Sequence, residues 1–396
     1  MSTAGAADNI PKPTVEQTTS RSDTVTVDYD WQHPIFIQTT GIRTTNIRID
    51  KAPTGQYGDK IHVEALVSSM STTLHDRLHL TSKLSAQNEY SLRLDVDWSL
   101  WDLGLTSAEI QIWLPPPPPS EDESCHKERV HPGIRVDIPA GAIGVTMVGY
   151  MRFAELDLKT LHGPAHLSDV VADEIRLEAH HGNITVHDCN AKKSLRLVGD
   201  AAWMDVDDVI ADVLEARSTD AILSLKDIQA STLGVSTTNA RIGLGNIKVG
   251  TLTAETTGGE VHSEHVQANA CNVRTTKGCI EGRWIPRQKL YLSTTEAPIS
   301  AQVSFPSDVA NVEMVFNSTK APIRVDVPES FNGGFSLQTD NYYKAFVTTR
   351  PNNIIQPTLH VSEPDKKAGL FGDGSKRHSL KAETTDAPIN ISFSGL

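Results

Sequence analysis

The chain has 396 residues, of which 38% are hydrophobic and 21% charged, a composition typical of a globular protein with at least one large core. Its formal net charge of −13 argues against nucleic acid and anionic membranes as partners, because phosphate groups are bound by basic surfaces. The sequence contains no run of about 18 apolar residues, so it predicts no membrane span.

The amino-terminal segment, residues 1–23, is predicted to be a disordered tail. It shows no basic start followed by an apolar stretch and no small-residue cleavage site, so it does not resemble a secretory signal. We therefore expect a cytoplasmic protein.

Residues 24–114 are predicted to form a strand-rich region, because short runs of alternating apolar and polar residues, such as "TVTVDYD" and "AEIQIWLP", are separated by Gly, Pro, Asn and Ser. Residues 115–133 begin with "PPPPPSEDES", and this proline-rich, charged composition predicts an exposed linker.

A repeat begins at residue 134 and extends to residue 396, with an irregular insertion at about residues 341–379. The phrases "STTEAPIS", "NSTKAPIR" and "ETTDAPIN" are near copies of one another. When they are aligned and extended backwards, an apolar residue recurs about every 19 residues, at Leu156, Ile175, Leu195, Leu214, Leu233, Leu252, Cys271 and Leu290. This period, with two-residue alternation inside it, predicts an all-β fold: a right-handed parallel β-solenoid of about 19-residue coils, preceded by the strand-rich region.

The positions of this frame, counted from the recurring apolar residue, have distinct compositions. Positions three and ten are apolar and are predicted to face inward. Position eight is always Gly or Ala, as in Gly182, Ala240 and Gly278. A corner of the coil that has no room for a larger side chain explains this restriction.

Position fourteen carries the acidic series Asp169, Asp188, Asp208 and Asp227, followed by Asn246. In stacked coils neighbouring carboxylates would lie about 5 Å apart and would repel by roughly 3 kcal/mol at an effective dielectric constant of 20. Two interpretations stay open. Each Asp forms a turn, with raised pKa values relieving the repulsion, or Ca²⁺ binds between the coils. The turn interpretation is favoured because it also accounts for Asn246.

Histidine and cysteine are also common metal ligands. His162 and His181 share position seven and are expected to lie one above the other. The two side chains either bind a transition metal together or are solvent-exposed residues of turns, and we favour the second interpretation. The four cysteines, Cys125, Cys189, Cys271 and Cys279, match no zinc spacing and are predicted to be free thiols.

The motif F-x-x-L-x-L-x-T-x-x-G at Phe153–Gly163, followed by repeats of L-x-V-x-T-T-x-A/G-x-I, resembles the "putative adhesin" type of β-solenoid repeat, a family of unknown function. The likeness runs from about Ile134 to the carboxyl end and is similar in particular to a fungal branch with a strand-rich amino-terminal region. It implies a solenoid fold and an adhesin-like role.

The regular columns are all explained by stacking, so we predict a non-enzymatic interaction scaffold that binds a protein or glycan partner. The large outward-facing side chains Trp203 and Tyr291 are the predicted partner contacts. The alternative is an enzyme acting on a carbohydrate or small molecule on one face of the solenoid, for which the Asp169–Asp227 series is the candidate carboxylate cluster.

Overall fold

The computed structural model describes residues 19–28, 33–40, 44–53, 60–69, 78–84, 90–96, 107–115, 130–147, 151–200, 203–309, 311–340, 342–349, 356–373 and 377–394. The amino-terminal strands are β1 Thr19–Asp28, β2 Ile35–Thr40, β3 Thr44–Lys51, β4 Lys60–Ser69, β5 Leu78–Leu84, β6 Tyr90–Val96 and β7 Ser107–Leu114. The next strands are β8 Val130–His131, β9 Ile134–Ala140, β10 Ile143–Thr146, β11 Arg152–His162, β12 Ala165–Ser168 and β13 Val171–Ala179.

Six long strands form the centre of the molecule: β14 Ile184–Gly199, β15 Met204–Ser218, β16 Leu223–Thr237, β17 Ile242–Thr256, β18 Val261–Thr275 and β19 Ile280–Ser293. The carboxyl-terminal strands are β20 Ile299–Val303, β21 Glu313–Asn317, β22 Ile323–Val327, β23 Gly333–Gln338, β24 Ala345–Thr349, β25 Thr358–Ser362, β26 Lys366–Phe371, β27 His378–Glu383 and β28 Ile389–Phe393. All of these strands join in one hydrogen-bonded sheet. Within the described ranges, no helix has the length and apolar character needed to cross a membrane.

The predicted all-β parallel solenoid is confirmed. Each long strand pairs in parallel with the corresponding strand of the next coil, so that Leu214, Leu233 and Leu252 stack in register. All three side chains are fully buried. The predicted repeat frame is therefore the physical register of the stack; its handedness stays a prediction.

One coil has three inward-facing runs separated by corners. In the coil that starts at Leu233, the buried side chains are Leu233, Val235, Thr237, Ile242, Leu244, Ile247 and Val249. We call positions one to five the first face, positions ten to thirteen the second face and positions fifteen to seventeen the third face. Within a face side chains alternate inward and outward, so positions eleven and thirteen of the second face point to solvent.

The corner at position eight is as tight as its composition predicts. A Cβ atom added to Gly182 would lie 1.7 Å from the carbonyl oxygen of Gly163, and one added to Gly278 would lie 1.6 Å from that of Gly259. Where alanine occupies this corner, as at Ala221 and Ala321, its methyl group is buried. The corner thus requires glycine in some coils and accepts at most a methyl group in others.

At both ends of the stack the coils are not in chain order. At the amino-terminal end, the coil of β2 and β3 lies between the coil of β6 and β7 and that of β9 and β10. At the carboxyl-terminal end, the coil of β27 and β28 lies between that of β21 and β22 and that of β23 and β24. The strand-rich amino-terminal region thus continues the solenoid stack.

Antiparallel strands cover the outermost coils. At the amino-terminal end β4 pairs with β7, β1 with β4, and β5 with β6; at the other end β26 pairs with β23 and β25 with β26. Such strands end the parallel stack and protect its edges from pairing with another molecule.

Strands occur in two segments that were predicted to be irregular, the amino-terminal tail and the insertion near the carboxyl end. Strand β1 begins at Thr19, so strand structure extends into the segment predicted to be a tail. Residues 1–18 and the linker residues 116–129 lie outside the described residues. The segment predicted as an irregular insertion, residues 341–379, contains β24, β25 and β26.

Candidate functional site

Three glycines interrupt the outward ladder of the second face: Gly144 and Gly243 at position eleven, and Gly245 at position thirteen. The backbone does not require them. A Cβ atom on Gly144 would have its nearest neighbour at 3.8 Å, and one on Gly243 at 3.7 Å, which are ordinary contact distances. Because a strand glycine lowers stability without a compensating need here, we interpret these positions as openings in the surface. We call them the amino-terminal notch (Gly144) and the central notch (Gly243 and Gly245).

The central notch is a cavity of about 320 Å³ on the second face. Its floor is β17, which is hydrogen-bonded to β16 on one side and β18 on the other. Its charged and polar lining consists of Lys226, Arg241, His262 and Glu264, and Ile222 lies at its edge. The notch is therefore a concavity in a rigid platform, with both signs of charge around it.

The two basic side chains of the notch are held by carboxylates. The Arg241 guanidinium lies 3.1 Å from Glu260, and the Lys226 ammonium lies 3.3 Å from Asp227. Because of its hydrogen bond and charge interactions with Asp227 and Asp207, Lys226 has a raised pKa and stays charged. These pairs hold the two cations in defined positions at the surface.

Trp203 lies at position nine, at the corner that leads into the second face, and 55% of its surface is exposed. Ile222 occupies the same position in the next coil and is 50% exposed. The two coils are joined there by a hydrogen bond from the Met204 amide to the Ile222 carbonyl, 3.0 Å long. The predicted exposed contact Trp203 thus stands beside a second exposed apolar residue that borders the central notch. We call Trp203 and Ile222 the apolar pair.

Tyr291, the other predicted contact, faces outward but is only partly exposed. The Arg274 guanidinium lies over its ring at 5.3 Å, and the Asn317 amide donates a 3.3 Å hydrogen bond to its hydroxyl. Burial raises the pKa of Tyr291, but hydrogen bonds from Ser293 and Asn317 and the charge of Arg274 outweigh it, so the pKa is below its ordinary value. Its role as a partner contact stays a prediction.

The acidic series at position fourteen consists of corner residues in the left-handed conformation. Asp169, Asp188, Asp208 and Asp227 have φ values of 56°, 50°, 51° and 52°, and Asn246 has 52°. Asp and Asn are the non-glycine residues that adopt this conformation most readily, so the corner explains why both occur in one column.

The expected raised pKa values are wrong at Asp227. Hydrogen bonds from Asn246 and Lys226 lower the pKa of this carboxyl, and they outweigh its partial desolvation. At Asp227, neighbouring hydrogen-bond donors therefore stabilise the charged carboxylate. In the described part of the chain no group of three or more His, Cys, Asp or Glu side chains is arranged to hold a metal ion. Calcium between the coils stays a prediction.

His162 and His181 lie one above the other as predicted, with ring centroids 4.8 Å apart and an angle of 11° between the planes. Both belong to an exposed corner.

Cys189 and Cys271 are free and buried, Cys279 is free and partly buried, and Cys125 lies outside the described residues. Burial raises the pKa of the Cys189 thiol to about 12, so it is unreactive near neutral pH.

Stacked parallel coils with a notched outward ladder define a β-solenoid repeat protein. Residues 133–326 match the model of the Toastrack DUF4097 family. No curated protein matches the sequence.

Some solved structures match the chain at low sequence identity and low TM-score. A "putative cell adhesion protein" from Clostridium sporogenes is 10% identical, with 95% of this chain and 99% of that chain covered and a TM-score of 0.22. A "putative adhesin" from Bacteroides fragilis is 9% identical, with coverages of 94% and 97% and a TM-score of 0.29. Another from Parabacteroides merdae is 12% identical, with coverages of 76% and 97% and a TM-score of 0.32. The narrower assignment to a fungal branch stays a prediction.

Proposed function

We propose that the protein is a non-enzymatic, adhesin-like scaffold that binds a protein partner at the central notch and the apolar pair. The observation that carries the proposal is the juxtaposition of two exposed apolar side chains, Trp203 and Ile222, with a cavity opened by glycines that the fold does not need. A partner side chain inserted into the cavity would bring its neighbours onto the apolar pair.

The apolar pair can supply substantial binding energy. A tryptophan side chain buries about 150–250 Å² when it is fully covered, so the exposed part of Trp203 offers on the order of 100 Å². At about 25 cal/mol per Å², covering it contributes roughly 2.5 kcal/mol, the magnitude typical of an interface hot spot.

The charged side chains at the notch favour a polar protein surface over a purely apolar ligand. Lys226 and Arg241 are already oriented by carboxylates, so a partner that contacts them incurs little cost for fixing their conformation. Glu264 on the next coil provides the opposite charge in the same cavity. This arrangement favours recognition of a surface with both signs of charge.

Affinity capture tests the proposal. Immobilised wild-type protein and the Trp203→Ala variant are compared with Tyr342→Ala, which removes an aromatic residue that is 90% exposed at the carboxyl-terminal end of the stack. We expect a protein retained by the wild type and by Tyr342→Ala to be lost from Trp203→Ala. Retention of the same proteins by all three would refute the role of the apolar pair.

Turnover of a glycan by the purified protein, abolished by Asp208→Asn with an unchanged melting temperature, would overturn the non-enzymatic assignment.

A further inference from the structure

The amino-terminal notch opens into a groove of about 680 Å³ that the proposed function does not use. Its floor is the second face of the first coils, where Gln111, Arg48, Gly144 and His166 stand side by side on β7, β3, β10 and β12. Strand β4 extends the floor by pairing antiparallel with β7. The absence of a side chain at Gly144 separates Arg48 from His166 and makes the surface concave.

The groove has an apolar part. Leu66 is 38% exposed, and Trp113 and Pro164 line the same cavity. The Trp113 ring packs against His62 at a centroid distance of 5.3 Å, which fixes its position on the floor. An aliphatic chain lying in the groove would be in contact with these side chains.

The charge of the groove is unbalanced. The Arg48 guanidinium lies 2.8 Å from an Asp50 carboxylate oxygen, which also accepts a hydrogen bond from Gln111, so this cation is neutralised within the protein. Glu64 and Glu109 line the groove and have no ion pair with any described residue.

The register places these two carboxylates within reach of one cation. Leu66 pairs with Glu109, and Glu64 pairs with Gln111, so Glu64 and Glu109 are diagonal neighbours on the same side of β4 and β7. The Cα atoms of diagonal neighbours are about 7–8 Å apart, a span that an ammonium or guanidinium group between the side chains can bridge.

We infer that the groove beside the amino-terminal notch binds an extended basic peptide segment of a partner, with one Lys or Arg head group between Glu64 and Glu109 and its aliphatic stem against Leu66. An anionic lipid or phosphate would be repelled by the two carboxylates. A neutral sugar would leave both charges without a counterion. The site is independent of the central notch, so either assignment can fail without the other.

Fluorescence anisotropy with purified full-length protein tests the inference. The probes are two fluorescein-labelled peptides, Gly-Lys-Leu-Lys-Leu-Lys-Gly and the same sequence with glutamine in place of each lysine. We expect the lysine peptide to bind at least about tenfold more tightly than the glutamine peptide, and its affinity to fall as salt is added because exposed charges are screened. The double variant Glu64→Gln/Glu109→Gln should lose at least about tenfold in affinity for the lysine peptide.

Two further variants separate the site from the bulk charge of the protein. Glu155→Gln/Glu255→Gln removes the same charge from exposed positions outside the groove and should change the affinity less than twofold. Gly144→Gln narrows the far side of the groove, and because a Cβ atom there has no neighbour closer than 3.8 Å, it should weaken binding of the extended peptide with an unchanged melting temperature. Equal binding of both peptides, an equal loss in the Glu155/Glu255 control, or full binding by Gly144→Gln would each overturn the inference.

Discussion

Replacing Gly278 or Gly243 by alanine should have opposite effects on stability, although both residues lie in the outer wall of the same solenoid. At Gly278 the new Cβ atom would lie 1.6 Å from the Gly259 carbonyl oxygen, so the two coils have to move apart by more than 1 Å at that corner. At Gly243 the nearest atom is 3.7 Å away and nothing has to move.

The magnitudes follow from these distances. Overpacking typically costs about 1–3 kcal/mol, and since the obstacle at Gly278 is backbone, which cannot rotate away, we expect about 3 kcal/mol of destabilisation. Gly243→Ala removes conformational entropy from the unfolded chain and should stabilise the protein by about 0.4–1 kcal/mol. The two variants should therefore differ by about 4 kcal/mol.

Urea denaturation followed by far-ultraviolet circular dichroism measures the difference, with the wild type as the common reference. A lower midpoint for Gly278→Ala and an equal or higher midpoint for Gly243→Ala are expected. Equal midpoints for the two variants, or a destabilised Gly243→Ala, would refute the distinction between glycines that the fold requires and glycines that open the surface.

Three other predictions concern the corner, the buried histidine and the thiols. Asp208 has a φ of 51°, so Asp208→Asn should change the unfolding free energy by less than about 0.5 kcal/mol, whereas Asp208→Val should cost about 1–2 kcal/mol in urea denaturation. A rise in the wild-type melting temperature with calcium that chelator reverses and Asp208→Asn abolishes would instead favour the calcium interpretation. Desolvation lowers the pKa of buried His131 to about 3, while the unfolded chain protonates near pH 6.5, so stability is lost as pH falls through this window. Relative to His131→Phe, the wild type should lose about 1.6 kcal/mol between pH 6.5 and pH 5, and parallel pH profiles would contradict this. Native protein treated with a thiol reagent at pH 8 should be modified at Cys279 but not at buried Cys189, as peptide mapping can show; modification of Cys189 would argue against its burial.

The repeating coil could be predicted from sequence because stacking imposes the same demand on every turn. Apolar residues at Leu214, Leu233 and Leu252 recur at one period, and Gly or Ala recurs at the corner, so each column is visible without coordinates. The order of the coils at the two ends was not predictable in this way. The phrase "ETTDAPIN" is that of a regular coil, and its local pattern is the same whichever coils lie on either side of it.

The candidate site was only partly predictable. Trp203 stands out in sequence as a large apolar residue at an outward position, and its exposure is confirmed. The notches were missed, although Gly243 and Gly245 do occur in columns that elsewhere carry polar side chains. A glycine that is required and one that is dispensable look alike in sequence, because the difference is a distance to an atom on the neighbouring coil.

Filling the central notch and measuring folding and binding together tests whether its glycines serve binding instead of folding. Gly243→Gln adds a side chain at a position where the neighbouring coils already carry Ser224 and His262. We expect an unfolding free energy equal to or above that of the wild type, together with loss of the protein captured through Trp203. Retention of that protein, or a loss of stability as large as that expected for Gly278→Ala, would contradict it.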